Sequence, residues 1–320
     1  MPIIIKAARS TEEIQDVLEL RFQTALQARR ILNRMFQASK KIIDPFDVYP
    51  GTLNSIAYEG GKPIGTLRAV EFNPANELMY EIFDYRESAK NLRGSSYLLD
   101  MICIDRNFSA EELVKKYLLK TILSLLHQKN VRNVFFNIPA AFEKIATSLG
   151  FSPISRKSLS STLDLEITPA ILDLDKYFDL TMNEVVDKEI IRFQEIFYAV
   201  LFLPGEILVV EGEHGNTAYV IEEGEVEVVL SRNDQVIPIS KITKGHLIGE
   251  VAMITDEPRT ASLLAMSPTA CIAFDREDFM RLMYAEPHRS LDVFKIFSKR
   301  LSESNQRLAE ARQQSTSSGE

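Results

Sequence analysis

The sequence predicts an α+β protein of two domains: a mixed α/β sheet domain, then an all-β domain flanked by helices. Three observations predict this class. The 320 residues are long for one domain and comfortable for two. The first half alternates between helical and strand patterns in the order helix, hairpin, strand, helix, strand, helix. From Phe202 to Phe274 the chain instead holds short strands broken by turns at Pro204-Gly205, Glu211-Gly212, Gly215, Glu223-Gly224, Gly245 and Gly249. That spacing predicts a small β-barrel or jelly roll.

The N-terminal elements follow from local signals. Ser10-Thr11-Glu12-Glu13 reads as a capping box, and Ile14, Val17, Leu18, Phe22 and Ala25 then recur at helical spacing. A second helical stretch reaches Phe36. Leu53–Tyr58 and Pro63–Phe72 flank Gly60-Gly61 as a hairpin. Tyr97–Ile104 is an apolar run interrupted by Asp100, the pattern of a central strand. Ser109-Ala110-Glu111-Glu112 reads as another capping box, opening a helix with Leu113, Tyr117, Leu118, Ile122, Leu125 and Leu126 on one face. Val131–Ile138 is a strand, and Pro139–Leu149 a short helix ending at Gly150. Residues 163–198 mix helical patches with Pro169 and read as a connector. Glu277–Arg312 returns to helix.

Composition excludes several classes. Hydrophobic residues make up 45% and charged residues 26%, enough for a core without staples. The net charge of −8 argues against binding DNA chiefly through its phosphates. Cys103 and Cys271 each lie in an apolar run and read as reduced core residues, and the four histidines lack ligand spacing, so no metal is expected. No run approaches the ~18 apolar residues of a membrane span. The first ten residues lack a signal-peptide core, so a cytoplasmic location is the expectation.

The most informative segment is Leu247–Ser262. Gly249 lets backbone approach a ligand closely, and Glu250 offers a carboxylate to a sugar hydroxyl. Val251-Ala252-Met253-Ile254 can form a helical turn with backbone N–H groups open to an anion. Arg259, after Pro258, can add a charge-assisted phosphate contact. The plainer alternative is a hairpin on which Glu250 and Arg259 pair at the surface.

The whole segment resembles the phosphate-binding cassette of the cyclic-nucleotide-binding domain family: Gly-Glu, any residue, Ala, an apolar pair, three variable residues, Pro-Arg, a small residue, then Ala. Leu203-Pro-Gly-Glu206, Glu211-Gly212, Gly215, Tyr219-Val-Ile221 and Glu223-Gly-Glu-Val226 match the same family's strands and glycines. The resemblance implies a cAMP or cGMP site formed by Gly249, Glu250, Val251, Ala252, Arg259, Thr260 and Ala261. In it Glu250 takes the ribose 2′-hydroxyl, and Arg259 holds the cyclic phosphate with the Ala252 amide and Thr260 hydroxyl. A threonine at position 260 suits guanine, yet hydroxyl residues there also occur in cAMP binders, and the bacterial-style architecture leans to cAMP. With a short remainder and a net charge of −8, no DNA-reading module is expected. Phe294, Phe297, Leu301 and Leu308 offer either a short homodimer seam or a lid over the barrel.

The element order of the first 160 residues, with Ala146-Thr-Ser-Leu-Gly-Phe151 at its end, resembles the Gcn5-related acyltransferase (GNAT) fold. Leu20-Arg21-Phe22, Asp44-Pro-Phe-Asp47, Tyr58 and Gly65-Thr-Leu-Arg68 resemble its branch of acyl-homoserine-lactone and N-acyl amino acid synthases. The resemblance implies transfer of an acyl group from acyl-CoA or acyl carrier protein to an amine, with Arg21, Asp44, Asp47, Arg68 and Asp100 as site residues. Two departures stand against it. The glycine loop that binds the coenzyme A pyrophosphate is replaced by Arg106-Asn-Phe-Ser-Ala-Glu-Glu112, and the expected tyrosine acid by Ile145 or Ala146. Either the donor is held differently, or the domain has lost catalysis and binds a partner. Asp44 and Asp47 also read as turn caps and Arg68 as a surface residue. Asp100 reads equally as a general base or as half of an ion pair with Arg68. The expected organisation is a GNAT-like domain over 1–165, a helical linker over 166–189, a cyclic-nucleotide-binding domain over 190–312 and a disordered tail over 313–320.

Overall fold

A computed structural model of the protein describes residues 1–27, 34–80, 82–105, 110–156, 158–160, 165–181, 197–232, 235–249, 255, 257–277, 280 and 284. The chain divides into Met1–Asn183 and Glu184–Glu320.

In the N-terminal unit, β1 (Ile3–Ala7) leads to α1 (Thr11–Gln27) and α2 (Arg34–Ser39). The hairpin β2 (Leu53–Glu59) and β3 (Lys62–Glu71) follows, then α3 (Arg86–Ala89), β4 (Ser96–Ile104), α4 (Glu111–Gln128) and β5 (Asn133–Pro139). The unit ends with α5 (Glu143–Ser148), β6 (Ser152–Pro153), β7 (Ser158–Ser160), β8 (Leu165–Asp173) and α6 (Leu174–Thr181). Its strands lie in the order β1-β2-β3-β4-β5-β8-β6, with β7 also on β8. This is a mixed α/β sheet, as anticipated from the sequence.

Local chemistry explains these elements. The Ser10 hydroxyl accepts from the Glu13 N–H at 3.1 Å, while the Glu13 carboxylate accepts from the Ser10 N–H at 2.9 Å, a reciprocal cap. Gly60 and Gly61 both have positive φ, which closes the β2–β3 hairpin in two residues. Gly65 lets α4 approach β3: a Cβ there would lie 3.0–3.2 Å from Leu118, Ile104 and Val114. The parallel pair β4–β5 is in register from Ser96↔Asn133 only to Leu99↔Phe136. Beyond it, Asp100–Ile104 and Asn137–Pro139 part, which opens the sheet beside Asp100.

Two expectations are corrected. The linker expected from residue 166 begins instead with β8, which pairs with β5 from Asn133↔Asp173 to Pro139↔Ile167. Pro169 hid this strand, because proline is disfavoured inside a sheet. It falls where the second neighbour is interrupted, between β6 (Pro153↔Ala170) and β7 (Ser158↔Ile167). The cap of α4 is Ala110 in the left-handed region at φ 66, with no side-chain cap, and Ser109 lies outside the described residues.

The C-terminal unit holds β9 (Phe197–Phe202), β10 (Ile207–Val209), β11 (Thr217–Glu223), β12 (Glu225–Arg232), β13 (Gln235–Thr243), β14 (Leu247–Ile248), β15 (Ser262–Ala265) and β16 (Thr269–Asp275). They form two stretches of antiparallel sheet, β14-β11-β16-β9 and β10-β15-β12-β13. Val200, Phe202, Ile221 and Cys271 from the first pack with Leu208, Val226, Leu263 and Ala265 from the second in one buried core. The two stretches pack on one another as a jelly-roll-like sandwich, and among the described residues no pairing joins them. The helix expected over Leu291–Arg312 lies outside the described residues.

Gly224 combines φ +98 with a close approach, since a Cβ there would sit 2.7 Å from the Thr269 Cα and 2.8 Å from the Pro268 oxygen. Gly61 has φ +80 with nothing within 4 Å. Gly224→Ala should therefore cost on the order of 2–4 kcal/mol and Gly61→Ala about 1 kcal/mol. Urea unfolding of each variant measures the difference, and equal losses would contradict it.

Candidate functional site

Arg259 follows the exposed Pro258, yet its own side chain is buried. Its Nη1 donates to the Gly249 carbonyl at 2.6 Å and its Nη2 to the Thr217 carbonyl at 2.5 Å. Both neighbouring glycines are needed for this fit. A Cβ on Gly215 would lie 2.5 Å from Nη2, and one on Gly249 would collide with Nη1. The backbone is tied in as well, for Arg259 N–H donates to the Glu213 carbonyl and the Arg259 carbonyl accepts from the Gly212 N–H, each at 2.9 Å. These carbonyl oxygens fix the orientation of the guanidinium.

In the N-terminal unit, Arg21, Asp44, Asp47, Arg68 and Asp100 come together. Arg68 is wholly buried on β3, so its plainer reading as a surface residue is overturned. Its guanidinium makes five hydrogen bonds, one for each N–H. Nε and Nη2 grip Asp100 at 2.8 and 2.6 Å. Nη1 and Nη2 grip Asp44 at 2.6 and 2.8 Å, and Nη1 also reaches Asp47 at 2.9 Å. Asp44 caps a 3-10 turn, Pro45–Val48, in a capping box with Asp47. Arg21, from α1, donates to Asp47 at 2.7 Å and to Asn54 at 2.8 Å. Burial raises the Asp100 carboxyl above the usual aspartate value, and Asp44 adds to this, although Arg68 pulls it down.

A model of the cyclic nucleotide-binding domain matches residues 199–286. The C-terminal unit contains a cyclic nucleotide-binding domain. A cAMP-dependent protein kinase regulatory subunit from Dictyostelium discoideum is 30% identical over 122 residues, 37% of this chain and 34% of the relative. The chain thus spans about a third of that curated relative's length. A cyclic nucleotide-binding domain from Methylobacillus flagellatus is 28% identical, covering 43% of this chain and 85% of its own at a TM-score of 0.36. An N-acyl amino acid synthase from uncultured soil microbes is 13% identical, covering 57% of this chain and 96% of its own at a TM-score of 0.43.

Within the cyclic nucleotide-binding domain, Gly249 and Arg259 meet directly, while Thr260 is exposed and Ala261 half-buried. Glu250, Val251 and Ala252 lie outside the described residues. Thr217 was not anticipated, because a backbone carbonyl contributes without regard to side-chain identity. Asn54 was also missed, as a polar residue on an alternating strand gives no sign of facing Arg21. Ile145 and Ala146, where the resemblance expects a tyrosine, are buried core residues of α5. Lys115 bridges both Glu111 and Glu112 at 2.7 Å. Two acids against one lysine still leave the first turn of α4 poorly suited to a pyrophosphate.

Asp47 gives a test of the cluster. Burial pushes its carboxyl up, but the charges of Arg21 and Arg68, with hydrogen bonds from Arg21 and the Asp44 N–H, hold it below the ordinary 3.8. A depressed folded value means that its stabilisation is complete above 3.8 and is lost as pH falls through the folded value. Asp47→Asn should cost on the order of 3 kcal/mol at neutral pH, and the gap to wild type should narrow on acidification below pH ~4. Thermal unfolding across pH measures this, and a constant gap would refute it.

Proposed function

We propose that the protein is an acyltransferase regulated by a cyclic nucleotide, cAMP in the first instance, bound at Arg259. The observation that carries the proposal is the buried Arg259 guanidinium, oriented by the Gly249 and Thr217 carbonyls inside a cyclic nucleotide-binding domain. The cAMP named for the Dictyostelium relative supports that ligand, and cGMP is the alternative that the Thr260 hydroxyl would favour. Glu250 is assigned the ribose 2′-hydroxyl and Ala252 a phosphate contact, as the cassette resemblance implies.

For the N-terminal unit, the reading rests on the synthase-like residues and on their convergence beside the parting of β4 and β5. Asp44, Asp47 and Asp100 against Arg21 and Arg68 leave one formal negative charge. That balance suits an acceptor amine arriving as its ammonium. Asp100 would first take a proton from the ammonium and pass it to water, freeing the nitrogen lone pair to attack the thioester carbonyl. The carbon–sulfur bond would then break, and the second proton lost from the nitrogen would go through Asp100 to the leaving thiolate. The acidic start of α4 favours acyl carrier protein over acyl-CoA as donor. One observation favours a second reading, a non-catalytic sensor: Arg68 spends every N–H on protein carboxylates.

Two measurements test the proposal. Millimolar cAMP should raise the melting temperature of the wild type by mass action, and Arg259→Ala should remove that shift, since losing the phosphate contact costs about 3–5 kcal/mol. No shift with either cAMP or cGMP would refute the ligand assignment. Mass spectrometry of reactions with acyl-CoA or acyl carrier protein and amine acceptors should detect an N-acyl product. Its rate should change about 5- to 150-fold with cAMP and fall at least ~100-fold in Asp100→Asn. Absence of product with both donors, while cAMP still binds, would establish the sensor reading.

A further inference from the structure

Arg259 is held by a backbone clasp, and that clasp is itself anchored by side chains outside the cassette. Residues 215–217 wrap the Nη2 side of the guanidinium, with Gly215 making room and the Thr217 carbonyl accepting. Thr217 is the first residue of β11 and pairs with Asp275, the last residue of β16. The end of a ladder frays easily, yet here it is closed by side chains. The Thr217 hydroxyl donates to Asp275 Oδ1 at 2.6 Å. The Tyr198 hydroxyl, from β9, reaches the two oxygens of the same carboxylate at 3.3 and 3.4 Å. The Arg276 N–H donates to the Asn216 carbonyl at 2.7 Å, which secures the middle of the clasp. One carboxylate therefore gathers three strands of the sheet at the point where Thr217 turns its carbonyl towards Arg259.

We infer that Asp275 is a positioning residue for the ligand site: acting through the Thr217 hydroxyl, and assisted by Tyr198, it fixes the carbonyl that orients Arg259 towards a cyclic phosphate. This rests on the reading of Arg259 as the phosphate-binding cation. An arginine already ordered loses less freedom when a ligand arrives, so the clasp raises affinity without touching the nucleotide. Neither Thr217 nor Asp275 belongs to the cassette between Gly249 and Ala261.

The test uses the full chain labelled with 15N-arginine, as wild type, Thr217→Val, Thr217→Ser, Asp275→Ala and Tyr198→Phe. Arg259→Lys assigns the Arg259 signals by removing them. In the wild type and Thr217→Ser, rotation about the guanidinium bonds should be hindered and the Nη signals resolved. In Thr217→Val and Asp275→Ala they should average, and calorimetry should show cAMP bound about three- to tenfold more weakly, with Thr217→Ser near wild type. Tyr198→Phe removes a single hydroxyl and should give a smaller change in the same direction, which keeps the test open should a harsher variant unfold. Resolved Arg259 signals and unchanged affinity in the folded variants would overturn the inference. Weaker binding with Arg259 still restrained would also overturn it, since the effect would then come from general loosening. If the wild type binds no cyclic nucleotide while the Arg259 signals respond as expected, the positioning role stands and the ligand assignment falls.

Discussion

A guanidinium withdrawn from water keeps its charge and its need for acceptors, and the surrounding chain has to supply them. Each unit of this protein is organised around one such group. In the N-terminal unit Arg68 has no exposed surface, and its hydrogen bonds go to Asp44 and Asp47 at a 3-10 turn and to Asp100 across the strand pair. Arg21 ties α1 to the same turn through Asp47. Helix, turn and two strands are therefore held in one arrangement by two buried guanidinium groups, Arg68 and Arg21. Removing any partner leaves a buried ion short of acceptors, at a cost of about 3–5 kcal/mol.

Arg259 meets the same constraint in part with backbone acceptors. Its acceptors on Gly249 and Thr217 are peptide oxygens, which fix the direction of the guanidinium. Arg68 faces carboxylates, so its charge is spent within the fold, and the surplus acid makes the cluster more suited to a cation than to a phosphate. In the proposed function that cluster is the platform for an amine; in the sensor reading it is a structural brace.

Much of this was legible in the sequence because local chemistry and tertiary structure agree. The Ser10–Glu13 cap, the Gly60-Gly61 hairpin and the helical stripe through Leu118 and Ile122 each state their own structure. Asp100 inside an apolar strand required a partner, and Arg68 was the natural candidate. What could not be read has physical reasons. Pro169 masked β8, since its tolerance depends on a break in a neighbouring strand distant in sequence. The burial of Arg259 and the clasp at Thr217 arise from backbone carbonyls, which leave no mark on residue identity. Ala110 at the start of α4 takes a left-handed conformation that no local rule assigns to alanine.

The most direct measurement is a crystal structure of the full chain grown with cAMP. The account predicts nucleotide in the C-terminal unit, with a cyclic-phosphate oxygen within about 3 Å of the Arg259 guanidinium and the Thr217 carbonyl still facing that side chain. A nucleotide bound elsewhere, or one whose phosphate Arg259 does not touch, would contradict it.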